Sequence, residues 1–322
     1  MSKHGPHTVD AGISLRPRFT IRYLAIILVL FTSSCQIRQN VTLALLGDLM
    51  LGRGVNPGTD SLAYLIPSLS TADLALANLE SPFATILPAS DSSYNLCVSS
   101  ALADLPSIWG FDMVSIANNH NLDCGSLGIA ETISVLGKTG IATVGSSMQP
   151  YYREVNGLHL AFFAFDDATS PLDKRAAVQA IRSAHLTGSI VIVSIHWGAE
   201  YQRGASERQK SLAKEISEAG AALIWGHHPH VLQPAAWLGP QPCDGSNPSH
   251  GCTLVLYSLG NALFDQGGLE DTRLSALVIV TLDSKGVIGV QTDPFGIDVI
   301  NSRIFKPDQK TAENIQNWMN LP

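Results

Sequence analysis

The sequence predicts an α/β protein whose sheets are covered on both faces, and three observations predict it. The chain has 322 residues, 45% of them hydrophobic and only 15% charged, which is ample for a large buried core. Its apolar runs are strand-length, rich in β-branched residues, and nearly continuous rather than alternating, as strands buried on both sides require. Amphipathic helical stretches separate several of these runs.

In chain order, residues 1–22 come first, carrying Lys3, Arg16, Arg18 and Arg22. The apolar run "YLAIILVLF" (Tyr23 to Phe31) and "TSSC", ending at Cys35, follow. A basic segment, a short apolar segment and small residues before a cleavage point describe a secretory signal over residues 1–35. The apolar run is short for a bilayer span. A Cys at that place resembles a bacterial lipoprotein signal, with Cys35 lipidated as the mature N-terminus, although Thr32 replaces the usual aliphatic residue. An uncleaved membrane anchor is the alternative. Both readings place the remainder outside the cytoplasm, membrane-attached through an N-terminal lipid or anchor.

One domain is expected over residues 40–322, without repeats or long linkers. Its expected strands are "VTLALLGD" (41–48), "DLALANLE" (73–80), "FDMVSIANNH" (111–120), "LHLAFFAF" (158–165), "SIVIVSIHWG" (189–198), "AALIWGHH" (221–228), "TLVLYSLGN" (253–261) and "LSALVIVTL" (274–282). In "ASERQKSLAKEISEAG", Ser206 and Gln209 make a capping box, and Leu212, Ile216 and Ala219 form one helix face. The turn-rich "CDGSNPSHGC" predicts a Cys243–Cys252 disulfide, leaving Cys97 and Cys124 as the remaining pair.

Nearly every apolar run delivers a polar group at its C-terminal end. The groups are Asp48, Glu80, Asn119 with His120, His196, then His228 with His230, and Asn261. In parallel α/β sheets such ends share one edge, where ligands bind. Read singly, each has an ordinary explanation: Asp48 capping a turn, Glu80 in a solvated loop, His120 and His196 satisfied in the core. Their recurrence argues for one site. Carboxylates, a carboxamide oxygen and imidazoles suit Mn, Fe or Zn. Two ions about 3.5–4 Å apart can clamp both oxygens of a displacement and activate a bound water. His227 is left outside this set. Asp123 is assigned to support the "NNH" turn, Glu200 and Tyr201 to orient His196, and Arg53 to a structural role or to an anionic substrate group. Asn261 completes these supporting positions.

The segments "LLGDLMLGRG", "NLESP", "ANNHNLDCG", "HWGAEY", "GHHPHVLQP" and "YSLGNALFD" resemble, in order, those of the CapA family of capsule synthesis proteins. That family is associated with poly-γ-glutamate and belongs to the calcineurin-like metallophosphatase superfamily. The resemblance spans about residues 41–300. It implies a four-layer αββα sandwich with metal ligands Asp48, Glu80, Asn119, His196, His228 and His230, and His120 as acid or substrate contact. Two positions depart from the phosphatase pattern. Its opening D-x-H appears here as Asp48-Leu49-Met50, and its second motif offers Asp where this chain has Glu80.

Three functions follow as expectations. One is a metal-dependent hydrolase or transferase of capsule or poly-γ-glutamate synthesis, acting on phosphoester, amide or γ-glutamyl bonds with one or two divalent ions. The second is a non-catalytic protein that binds or helps export an anionic cell-surface polymer. The third, a TIM-barrel amidohydrolase, normally has a ligand pair near its first strand, and "DLM" lacks one. A net charge of −7, a pI near 5.8 and the absence of a basic stripe argue against nucleic acid as partner.

Overall fold

The computed structural model describes residues 39–88, 92–240, 243 and 251–321. The expected signal segment, with Cys35, lies outside these residues. Among the described residues no helix is long and apolar enough to cross a membrane.

The chain runs through β1 (Val41–Leu49), α1 (Ile66–Thr71), β2 (Leu74–Leu79), β3 (Met113–Ser115), α2 (Gly128–Lys138), β4 (Ala142–Val144), β5 (Tyr151–Val155) and β6 (Leu158–Asp166). It continues through α3 (Lys174–Leu186), β7 (Ile190–His196), α4 (Glu207–Glu218), β8 (Ala221–His227), β9 (Ala236–Leu238) and β10 (Thr253–Leu256). Last come β11 (Asn261–Leu263), β12 (Leu274–Asp283), β13 (Gly286–Asp298), β14 (Arg303–Phe305) and α5 (Gln309–Met319). Each of the eight expected strands is present. Strands β4, β5, β9, β11, β13 and β14 are additional, and most of them form sheet edges.

Two sheets form. The larger has the order β14-β13-β12-β1-β2-β3-β4, with β11 joining the C-terminal end of β1. The smaller has the order β9-β10-β8-β7-β6-β5. The smaller sheet has a parallel centre (β6-β7-β8-β10) between antiparallel edge strands, and the larger joins a parallel half (β1 to β4) to an antiparallel half (β12 to β14).

The near-continuous apolar strands bury both faces by alternation. In β1, Val41, Leu43 and Leu45 face the core between the sheets, while Ala44 and Leu46 join an outer core that includes residues of α1 and α2. In β6 and β7, Leu160, Phe162 and Ile192 face inward, whereas Phe163, Val191 and Val193 meet Ile181, Leu212 and Ile216 of α3 and α4. The layers are therefore helix, sheet, sheet, helix, the αββα sandwich of metallophosphatase type. Helix α5 adds Ile315 and Met319 to the inner core.

Close backbone approaches hold the strand ends together. The Asp48 amide donates to Gly260 O at 2.9 Å, and a Cβ at Gly47 would lie 1.9 Å from that same oxygen. Only glycine lets the chain entering β11 come this near, which sets Asn261 beside Asp48. The expected capping box opens α4, with Ser206 and Gln209 bonding reciprocally. Both disulfides are formed, Cys97–Cys124 and Cys243–Cys252, with Cα separations of 5.0 and 5.8 Å.

Candidate metal centre

Asp48, at the end of β1, is fully buried among donors. Its Oδ1 accepts from Asn78 Nδ2 at 2.8 Å, and its Oδ2 accepts from the His228 amide at 3.2 Å. The same Oδ2 lies 3.2 Å from His230 Nδ1. Burial alone would raise the Asp48 pKa, but hydrogen bonds from His227 and His230 outweigh it and hold the carboxylate well below its ordinary value. Glu80, just past β2, is also fully buried, and there burial and the neighbouring Asp48 charge push its pKa well up. Its Oε1 is 3.9 Å from His196 Nε2, and its Oε2 has no hydrogen-bond partner.

His196 ends β7 and reaches across from the smaller sheet, placing Nε2 2.8 Å from Asn119 Oδ1. Burial holds its imidazole well below the ordinary pKa, so it is neutral and competent as a ligand. His228 and His230 follow β8 in a turn whose φ values are 94° and 56° at these two residues. A positive φ at non-glycine residues is strained, and it is held here by the surrounding contacts. His230 Nδ1 lies 2.9 Å from Asn261 Oδ1. Asn261 in turn donates to Gln266 Oε1 and Thr272 O, so its oxygen faces the ring and Nδ1 carries the proton. That leaves His230 Nε2 for a ligand. Burial works against a charge on His230, yet Glu80 and Asp48 raise its pKa to about 9.

The donor atoms fall into two groups, Asp48, Glu80 and His196 in one and Glu200, His228 and His230 in the other, each within 4.8 Å. A buried carboxylate oxygen without a partner is costly unless a proton or cation meets it. Glu80 Oε2, the neutral imidazoles and the ion-sized donor spacing all fit a divalent metal.

Other expected residues fall as follows. His120 Nδ1 is 2.9 Å from Asp123 Oδ2, and Asp123 also accepts from the Leu96 amide at 2.6 Å, so Asp123 braces the turn after Asn119. Arg53 forms a two-point pair with Asp265 and stacks over Phe264 at 5.5 Å, and Phe264 packs against His230. Glu200 and Tyr201, assigned to His196 from the sequence, lie instead beside the His228–His230 turn. The Tyr201 amide donates to Pro229 O at 2.8 Å, which fixes that placement.

Two participants escaped the sequence reading. Asn78 presents Nδ2 to Asp48 Oδ1, to Glu80 Oε1 at 3.4 Å and to His196 Nδ1 at 3.3 Å, at the centre of the first group. Its signal was present in "ANLE", because residues two apart on a strand share a face with Glu80. His227, excluded from the sequence, has Nδ1 3.5 Å from Asp48 Oδ1 and its ring 4.4 Å from that of Trp225. Met50 lies fully buried in the outer apolar core.

The model of the family described as "Bacterial capsule synthesis protein PGA_cap" matches residues 42–266. This chain is a member of the PGA_cap family. Every site residue from Asp48 to Asn261 lies inside the PGA_cap match, whereas β12 to β14 and α5 lie beyond it. Among similar proteins, the PGA biosynthesis protein CapA of Bacillus subtilis is 30% identical over 297 residues, covering 84% of this chain and 75% of that one. The capsule biosynthesis protein CapA of Bacillus anthracis is 29% identical, covering 80% of this chain and 68% of that one. A probable polyglutamine synthesis accessory protein of Mycobacterium tuberculosis is 22% identical, covering 86% and 90%.

Proposed function

We propose that this PGA_cap protein is an exported accessory protein of capsule or poly-γ-glutamate synthesis with a metal-dependent hydrolase or transferase site. The bond acted on is a phosphoester, amide or γ-glutamyl bond. The names of the two Bacillus relatives support the process. The observation that carries the chemistry is the fully buried, unpartnered Glu80 Oε2, set among Asp48, Asn119 and neutral imidazoles at the ends of strands from both sheets. One or two divalent ions, Mn, Fe or Zn, held by Asp48, Glu80, Asn119, His196, His228 and His230 would supply Lewis acidity and an activated water.

The chain's own groups do the rest. Asn261 sets the His230 tautomer, and Asn78 holds the Asp48 carboxylate in place. His120, with Nδ1 held by Asp123, keeps Nε2 free to give a proton to a leaving group, which leaves a neutral imidazole still oriented by the Asp123 carboxylate. Arg53 stays charged beside Asp265 and close enough to Glu80 to feel its charge, where it can meet an anionic group of the polymer. On a chain of net charge −7, an anionic partner needs such local positive charge. Two disulfides support a working place outside the cytoplasm, and the N-terminal segment supports membrane attachment by lipidated Cys35 or an anchor.

Turnover and metal content of variants test the assignment together. His120→Ala should abolish turnover and leave metal content nearly unchanged, whereas His228→Ala should lose both. If neither substitution changes hydrolysis of a substrate the wild type cleaves, the catalytic assignment is wrong. If the wild type cleaves none of the three bond types yet retains metal and binds polymer, the site is a receptor for the anionic chain.

A further inference from the structure

On the His230 side the site is one donor short, because the residue two after Asp48 is Met50 and its side chain belongs to the outer apolar core. Building on the metal reading above, we propose that Glu200 supplies the missing donor. It is a carboxylate ligand that, with His228 and His230, completes a second metal position beside the one formed by Asp48, Glu80 and His196.

The geometry for this is built rather than incidental. One donor atom from each of Glu200, His228 and His230 lies within 4.8 Å of the others, and His228 Nδ1 is buried without a hydrogen-bond partner. The loop carrying Glu200 is strapped to the histidine turn at several points. The Trp197 amide donates to His227 O at 3.1 Å, and the Tyr201 amide donates to Pro229 O at 2.8 Å. Gln233 Nε2, from beyond the turn, donates to Gln202 O at 2.8 Å and to Gly204 O at 3.2 Å. The Tyr201 hydroxyl accepts from Gln266 Nε2 at 3.1 Å, which ties the residue after Glu200 from the other side. An exposed glutamate therefore sits on a loop fixed by contacts on both of its flanks.

Charge balance points the same way. Asp48 and Glu80 alone would leave two dications in a buried site with two uncompensated positive charges. A third carboxylate removes one of them. Exchanging an imidazole for a carboxylate also makes the second position harder than an all-imidazole one. Because Glu200 faces solvent while the other five donors are largely buried, the second ion has a route in and out that the first lacks.

Calorimetric titration of metal-stripped protein with Mn²⁺, read together with electron paramagnetic resonance, tests the proposal. The wild type should bind two ions and give a spin-coupled signal. Glu200→Gln should keep one ion at wild-type affinity, weaken the second at least tenfold, and show an isolated Mn²⁺ spectrum. Since Glu200 is exposed, the variant should unfold at the same temperature as metal-free wild type. Two unchanged ions in Glu200→Gln would overturn the ligand assignment and leave the metal reading standing. No Mn²⁺ bound to the wild type would overturn both.

Discussion

At the scale of single residues, types were legible where chemistry is loud and illegible where it is quiet. Asp48, Glu80 and the histidines announce metal competence by composition alone. Asn78 does not, because a buried asparagine in a strand reads as a local polar interruption. Its role lies in spatial neighbours 30 and 118 residues away, which no local pattern contains. Asn78→Ala should leave Asp48 Oδ1 short of a donor in a fully buried place, a loss of about 1–3 kcal/mol. Denaturant unfolding of the metal-free protein should show it as a lower midpoint with an unchanged slope. No shift in the midpoint would mean that the Asn78 amide does not organise the first donor group. His227 was missed for a related reason. Three histidines within four positions cannot be told apart by spacing, and only the positive φ at His228 and His230 turns them away from the course of β8.

At the scale of elements, the buried central strands were readable because burial on both faces gives a continuous apolar run. The edge strands were not. Strand β5 carries exposed Tyr151 and Tyr152, and β13 mixes Gln291, Thr292 and Asp293 into its length, as edge-side positions permit. Two substitutions separate local from tertiary control of these elements. Ser206→Ala removes the capping box of α4 and should cost about 1 kcal/mol. Gly226→Ala, near the end of β8, places a Cβ 2.1 Å from Tyr257 O and 2.6 Å from the Trp197 indole nitrogen, all within the packed sheet. It should cost on the order of 3 kcal/mol or more, with lower metal content as the histidine turn shifts. Equal midpoints for the two variants by thermal unfolding would contradict the claim that close strand approach, more than helix capping, fixes the site.

At the scale of the whole molecule, the sandwich brings the ends of β1, β2, β7 and β8 to one place, and the protons held there couple the site to stability. His230 has its pKa raised from 6.5 to about 9, so over that window the native apoprotein binds more protons than the unfolded chain. The stabilisation this gives is complete below pH 6.5 and is lost as pH rises toward 9. Glu80, pushed up by burial, acts in the same direction. The neutral, depressed His196, His227 and His228 act oppositely, but only below their ordinary value of 6.5. Metal-free protein should therefore lose stability between pH 6.5 and about 9, while metal affinity rises over the same range because binding displaces the His230 proton. Thermal unfolding with and without Mn²⁺ across this range checks both slopes. A metal-induced shift independent of pH would show that His230 carries no displaceable proton.

The proposed function rests on donors from both sheets forming one metal centre at the strand ends. Anomalous diffraction from crystals loaded with Mn²⁺ or Zn²⁺ and measured at that metal's absorption edge tests it most directly. A peak is expected among Asp48, Glu80 and His196 and a second beside His228 and His230, both absent in a combined Glu80→Gln, His228→Ala variant. A metal-loaded wild-type crystal with no anomalous peak among these residues would contradict it.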